Sequence, residues 1–550
     1  MGEMIELTAE GDHRREVEDI LQKMTDSSIL PRIWNGDHTV WKPKPDEIVN
    51  RLGWMHIADN MRGEIPRLER LTGSLWKEGY RQALLLGMGG SSLAPRVFRS
   101  TFGTREEHLD LAVLDSTDPD AVLACAGAVD PARTLFIVAT KSGGTVETLS
   151  FFKYFYRRVR EAVGSDKAGR QFAAITDPGS ALAGMADKYG FRETFLNDPN
   201  IGGRYSALSF FGLVPAALVG VDLGILLNRA EAMMDRCGPG VPAGENPAAV
   251  LGALLGHLAA TGRDKVTLVP SLPVDSFGDW VEQLIAESTG KQGKGILPVV
   301  GETLGPPGVY GRDRFFVHLR LAYDQTHDRA LAELEKAGHP VIWIDLSDRY
   351  DLGGQFFLWE LATAVAGHLM DINPFDQPDV ESAKVQARRM VAEYQKEGHL
   401  PKVEASPVTS AALKNFLSRA GAGDYLALQA YLPPVDGIDR ALAGLRLRLR
   451  DTYHLATTVG YGPRFLHSTG QLHKGDAGRG LFIQFVLENA GDADIPDRPD
   501  APESSVSFGL LKKAQALGDR QALLDAGRRV MTFRLGENPI GQLNKLTDGL

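Results

Sequence analysis

Cysteine is nearly absent from this 550-residue chain: Cys125 and Cys237 are the only two, and no CxxC pair exists. That excludes a disulfide framework and a cysteine-rich metal centre, and it fits a reducing cytoplasm. Basic residues do not outnumber acidic ones either. With 60 Lys and Arg against 70 Asp and Glu the net charge is −10, which argues against nucleic acid or an anionic membrane as a partner and makes any anion site a local one. Long apolar runs are missing. The uncharged stretch from Tyr205 to Val221 contains Gly212 and Pro215 and falls short of the roughly 20 residues of a membrane span, so a buried helix is expected there. The opening residues MGEMIELTAEGDHRREVED are acidic without an apolar centre, so no signal peptide is read in them. HExxH, EF-hand and clustered Cys/His patterns do not occur, and the reading needs no metal.

What the chain does have is alternation. From Arg81 onward, short apolar segments at 83–86, 111–115, 135–140, 172–176 and 193–197 are separated by helical stretches. This predicts a parallel, doubly wound sheet, whose ligands bind where strand ends open into helices. A Gly/Pro-rich stretch at 237–247 precedes a second round, with strands expected at 266–270, 296–301, 315–321 and 341–346 and a long helix from about 354. A second break at 397–407 leads to strand-like segments at 425–432 and 481–487. The expected organisation is a helical lead-in over 1–60, with IWNGDHTVWKPKP as a surface strap, α/β units over 61–240 and 241–398, and a C-terminal α/β region over 399–550.

One helix stands out, in WVEQLIAESTGKQGKG (280–295). Trp280, Val281, Leu284 and Ile285 form its apolar arc, Glu287 falls at the edge of that arc, and Glu282 is expected in solvent. Gly290 is expected to cap the helix. Burial and the helix dipole there suit Glu287 to taking and returning a proton near neutral pH. The plainer reading is a satisfied helix-end carboxylate.

Four loops offer partners. LLLGMGGSSLAP (84–95) ends a strand in Gly89, Gly90, Ser91 and Ser92, which can close on a phosphate, though a tight turn without a ligand explains it equally. VATKSGGTVET (138–148) offers Thr140, Lys141, Ser142 and Thr145, three hydroxyls and a cation that suit a phosphate monoester. It lacks the GxxxxGK[ST] spacing, so the expected ligand is a phosphorylated metabolite and not ATP, and Glu147 closes a capping box in the same segment. In DPNIGGRYSALS (198–209), Arg204 is either an ordinary loop residue or a cation laid over an oxyanion. In INPFDQPDVESAK (372–384), Gln377 and Lys384 share one face if a helix begins near Pro378. Beyond these, GPRFLHSTGQLHKG (462–475) places His467 and His473 six apart in a Gly-rich loop, which is not a metal-ligand spacing.

In this order, GMGGSSLAP, ATKSGGTVET, GGRYS, ESTGK and FDQPDVESAK resemble the glucose-6-phosphate isomerase family over about 300 residues. The first two resemble its sugar-isomerase (SIS) phosphate loops, the third its arginine loop, the fourth its catalytic glutamate motif and the last its signature around a glutamine and a lysine. The whole chain is most similar to the isomerase half of fused transaldolase/phosphoglucose isomerase proteins. The resemblance implies two successive doubly wound SIS-type domains, 61–240 and 241–398, followed by the C-terminal α/β region. It implies a cytoplasmic homo-oligomer, such as a homodimer, acting on a small sugar phosphate with neither metal nor organic cofactor. Ser91, Thr140, Lys141, Ser142 and Thr145 are then the phosphate ligands, Glu287 the proton shuttle, Arg204 the support of a cis-enediolate, and Gln377 and Lys384 aids to binding and ring opening. The implied reaction interconverts glucose 6-phosphate and fructose 6-phosphate; the alternatives are an isomerase that also accepts mannose 6-phosphate and a non-catalytic sugar-phosphate sensor. The family's usual ring-opening histidine lies in an NGQH segment lent by a neighbouring subunit. No such segment lies between Glu287 and Lys384, where His318 falls inside an expected strand and reads as structural. His467 and His473 are the replacements, and GQLH (470–473) is nearest to the missing motif.

Overall fold

The computed structural model describes residues 5–8, 13–487 and 491–550; the rest of the opening acidic stretch lies outside the described residues. The chain begins with β1 (Ile5–Thr8) and α1 (His13–Asp26). A first sheet follows, formed by β2 (Gln82–Gly87), β3 (Asp110–Leu114), β4 (Thr134–Ala139), β5 (Phe172–Thr176) and β6 (Glu193–Leu196), with α2 (Val146–Val163) between β4 and β5. Its strands run parallel in the order β3-β2-β4-β5-β6. Every residue of β4 is buried, which is why these strands read as unbroken apolar runs: helices cover both faces of the sheet.

Helices α3 (Leu223–Arg236) and α4 (Pro247–Ala260) lead to the second sheet, built from β7 (Lys265–Pro270), α5 (Phe277–Thr289), β8 (Leu297–Val299), β9 (Arg314–Leu321), β10 (Val341–Leu346) and α6 (Leu352–Leu369). Its order is β1-β10-β9-β7-β8, parallel except for β1. The lead-in is therefore not only helical. Its Trp-rich segment is not a surface strap either: Val40 and Trp41 are buried, and the Trp41 indole donates to the Ala364 carbonyl at 2.8 Å. The Gly/Pro-rich stretch 237–247 joins α3 to α4 within one continuous core, which runs from Leu85 and Ile137 of the first sheet through Leu226, Leu254 and Phe356 to Val317 of the second.

After α7 (Val380–Glu397), β11 (Tyr425–Tyr431), β12 (Ala456–Tyr461), α8 (Gly470–Gly475), β13 (Gly480–Leu487), α9 (Phe508–Asp525) and β14 (Arg529–Leu535) complete a third parallel sheet, in the order β12-β11-β13-β14. All three sheets share one plan. Leaving aside the antiparallel β1, the first strand of each lies inside its sheet, the next pairs on one side and the following one on the other, which opens a crevice at the carboxyl ends where the strand order reverses. The stretch read as a buried helix is one, over Phe210–Val219, and among the described residues no helix is long and apolar enough to cross a membrane.

Candidate active site

α5 buries Trp280, Val281, Leu284 and Ile285 and leaves Glu287 half-buried at the edge. Arg204 approaches from the GGRYS turn after β6. Its guanidinium is 2% exposed and every N–H is engaged: Nε donates to Ser288 Oγ at 2.7 Å, Nη1 to Glu287 Oε1 at 3.2 Å and Gln377 Oε1 at 2.8 Å, and Nη2 to the carbonyls of Pro374 and Asp376 at 2.7 and 3.0 Å. The second oxygen of Glu287 accepts from Gln283 Nε2, one turn back, at 2.9 Å. A cation whose five donors are all held cannot swing away, so the charge beside Glu287 is fixed in place. Lys291 braces the 373–376 turn behind Arg204, donating to the Asn373 carbonyl at 2.9 Å and to Asp376 Oδ1 at 2.7 Å. Burial, with Arg204 nearby, pushes the Lys291 ammonium down to about 8.

Two expectations for these elements are corrected. Glu282 does not face solvent: the third region covers it, Ser468 Oγ donates to it at 3.1 Å, and burial raises its carboxyl to about 7. Gln377 does not share a helical face with Lys384, because α7 begins at Val380 and Gln377 lies in the turn before it. Gly290 does cap α5, and the reason is space: a Cβ there lies 2.3 Å from Leu472 Cα of α8.

The Gly-rich turn after β2 touches the arginine turn directly, since a Cβ on Gly90 meets the Gly203 carbonyl oxygen at 2.0 Å. Gly89 lies beside Gln283 and His467. Ser91 is half-buried at this junction, whereas Ser92 is fully buried and donates to the Gly89 carbonyl at 3.1 Å, which ties it to the turn itself. After β4, the hydroxyls of Thr140 and Thr145 are 2.9 Å apart and Ser142 Oγ accepts from the Gly144 N–H at 3.3 Å. These groups open α2, whose N-terminal N–H groups favour an anion. Lys141 is engaged elsewhere, by Asp177 and by the Pro199 carbonyl at 2.9 Å. A cleft of about 470 Å³ runs from this loop to α7, with Ser142, Thr145, Lys384 and His467 on its walls.

The two histidines differ. His467 Nε2 is 3.1 Å from Glu147 Oε1, and the same carboxylate oxygen accepts from Gln515 Nε2 at 2.7 Å, with Thr117 in turn donating to Gln515 at 2.8 Å. Burial works to raise the Glu147 carboxyl, but its contact with His467, a backbone hydrogen bond and the Lys384 ammonium together leave it below its ordinary value. His473 instead packs between Phe482, Phe465 and Tyr425, with ring centroids 5.0, 6.0 and 6.4 Å away, and both ring nitrogens lack a hydrogen-bond partner among the described residues. Burial drives its pKa well below the usual imidazole value, so it is a neutral ring in the core and not part of the cleft. His318 is buried in β9 with its Nδ1 against the Val269 carbonyl.

Gln283, Ser288, Glu147 and Gln515 were not among the candidates. Gln283 was findable four residues before Glu287 on the same helix face; Gln515 carries no local signal. The group with metal-ligand geometry among the described residues, His13, Glu16 and His257, belongs to α1 and α4 and shares no residue with this site.

A guanidinium-locked carboxylate thus lies beside Gly-rich turns at the carboxyl ends of a doubly wound sheet, the place where enzymes of the α/β class bind their ligands. The family model described as phosphoglucose isomerase matches residues 68–297. The chain is 27% identical over 391 residues to the glucose-6-phosphate isomerase of Carboxydothermus hydrogenoformans, covering 60% of this chain and 83% of that one. To the glucose-6-phosphate isomerase of Rubrobacter xylanophilus it is 29% identical over 437 residues, 69% of this chain and 97% of that one. The fold is shared with a hypothetical protein of Thermus thermophilus (TM-score 0.60, 23% identity, 71% of this chain and 100% of that one). It is shared also with a glucose-6-phosphate isomerase of Chlamydia trachomatis (TM-score 0.56, 18% identity, 73% and 89%).

Proposed function

We infer that this protein interconverts glucose 6-phosphate and fructose 6-phosphate, with Glu287 as the proton carrier. The observation that carries the reading is the Glu287–Arg204 contact at 3.2 Å, in turns that touch the phosphate-type loop after β2. Ser142 and Thr145 at the start of α2, with Ser91 across the crevice, hold the phosphate, a part of the substrate that does not react. His467 gives a proton to the ring oxygen as its bond to carbon 1 breaks and the hydroxyl on carbon 1 loses its proton to water, leaving the open aldehyde, and Glu147 orients the imidazole. Glu287 then takes the proton from carbon 2 of the open aldose and returns it to carbon 1. As Glu287 becomes neutral, negative charge appears on the enediolate oxygen, so Arg204 faces one anionic charge before the transfer and one after it. Lys384, on the cleft wall, adds a second cation near the substrate's oxygens. The setting we infer is cytoplasmic, supported by the two free cysteines, and the working unit a homo-oligomer.

The test is to incubate the purified protein with fructose 6-phosphate in deuterated water. Glucose 6-phosphate carrying solvent deuterium at carbon 2 is the expected product; its absence at micromolar enzyme sinks the reading.

A further inference from the structure

We propose that His13 and Glu16 of α1 and His257 of α4 form a metal site, for a divalent transition-metal ion of the zinc class, that fastens the lead-in to the core. One ligand atom from each residue lies within 4.8 Å of the other two. His257 Nε2 is the hub, 3.0 Å from His13 Nδ1 and 3.1 Å from Glu16 Oε2. The corners of a tetrahedron around zinc, with bonds of about 2.0–2.1 Å, are about 3.3 Å apart. Both hub contacts come within a few tenths of an ångström of that, and the Glu16 side chain, 53% exposed, is free to turn and close the remaining edge.

A proton serves this cluster poorly. An imidazole nitrogen has one direction in the ring plane, holding either a hydrogen or a lone pair. With a hydrogen, His257 Nε2 must divide a single donor between a nitrogen and a carboxylate; with a lone pair, it faces the Glu16 carboxylate with no donor between them. A cation accepts all three lone pairs at once. The two rings support this, since they meet at 70° with centroids 5.2 Å apart, so their nitrogens converge where those of stacked rings would not. Two imidazoles and one carboxylate suit zinc and its neighbours, whereas magnesium and calcium take oxygen ligands. The placement gives the ion a structural role. His13 and Glu16 share the first turn of α1, which buries no apolar side chain before Val17. His257 lies in the last turn of α4, whose residues 247–258 are all buried, and 244 positions separate it from His13. Metal bonds there hold a turn that apolar packing does not reach.

The test is calorimetric titration of the full chain, stripped with EDTA and dialysed, with zinc chloride. One equivalent is expected, with a Kd of about 10 µM or tighter. Glu16→Gln and His257→Gln each weaken it about tenfold or more, whereas His399→Ala, at an exposed histidine outside the cluster, keeps it. Glu16 is at the surface, so its variant stays folded and its loss reports the ligand alone. Zinc raises the melting temperature of the parent and leaves that of Glu16→Gln where it was. Cobalt(II) chloride gives the intense visible bands of a four-coordinate ion with the parent and only the pale spectrum of the hydrated ion with Glu16→Gln. Failure to bind zinc, an equivalent kept by either cluster variant, a melting temperature that zinc does not move, a pale cobalt spectrum with the parent, or magnesium or calcium binding more tightly than zinc overturns the proposal.

Discussion

The Glu287–Arg204 centre and the Glu147–His467 pair, to which the proposed reaction gives its two halves, are built in opposite ways. The first joins residues 83 apart beside the core shared by the first two sheets, and all five N–H donors of Arg204 are held by acceptors. The second joins residues 320 apart across the junction between the first sheet and the third region. The third region is held there by docking on α5 of the second sheet: Arg464 reaches Asp279 at 3.1 Å, Ser468 reaches Glu282, and α8 packs Leu472 against Gly290. On the proposed reading, the charge that must not move sits in continuous packing, and the group that exchanges protons with the substrate sits where the third region meets the first sheet.

The sharpest way to break this contrast is at Glu287. Glu287→Gln keeps the contacts to Arg204 and Gln283 but removes the base, so kcat is expected to fall by roughly 10² to 10⁴ with substrate affinity within about threefold. Normal turnover, with deuterium still entering carbon 2, places the base elsewhere. Next in size, His467→Ala slows the cyclic hexose phosphates by roughly 10² while an aldotetrose 4-phosphate, which cannot form a ring, is slowed less than about threefold. Equal slowing of both substrates shows that the junction only shapes the cleft and removes the division of labour.

A smaller effect tests the junction through pH. Folding raises the Glu282 carboxyl from 4.5 to about 7, chiefly by burial. The stability tied to its protonated form is complete below the lower value and is lost as pH rises through the upper one. Glu282→Gln is therefore expected to match the parent at pH 4.5 and to gain roughly 1–3 kcal/mol over it at pH 8. Coincident thermal-unfolding profiles of the two proteins from pH 4.5 to 8 contradict this. Smallest of all, His473→Leu is expected to leave turnover within about twofold and to raise the melting temperature, because it removes two buried nitrogens that nothing among the described residues pairs. A tenfold loss of activity returns His473 to the reaction.

Apart from β1, which lies in the lead-in expected to be helical, the strands of the first two sheets were legible as apolar runs, β4 most plainly because it is buried on both faces. β12 and β14 were not: three of the six residues of ATTVGY are only half-buried, and RVMTFRL mixes half-buried, buried and exposed positions without a clean period. Arg204, Glu287 and Gln377 carried local motifs, and the fold brings them together. Glu282 was misread because its cover comes from Ser468, 186 residues later, and helical periodicity knows nothing of that distance. His473 drew attention through a motif echo, while Gln515, in a helix with no unusual pattern, turned out to hold Glu147.

The antiparallel β1 has a consequence of its own. It pairs along the outer margin of β10, from Ile5 opposite Ile344 to Thr8 opposite Val341, and so covers the margin of VIWIDL, a segment with the makings of an aggregation seed. Four residues thus act as a stopper against copy-to-copy stacking. A shortened form without them keeps every catalytic group, yet presents an open sheet margin, and its loss of solubility precedes any loss of chemistry.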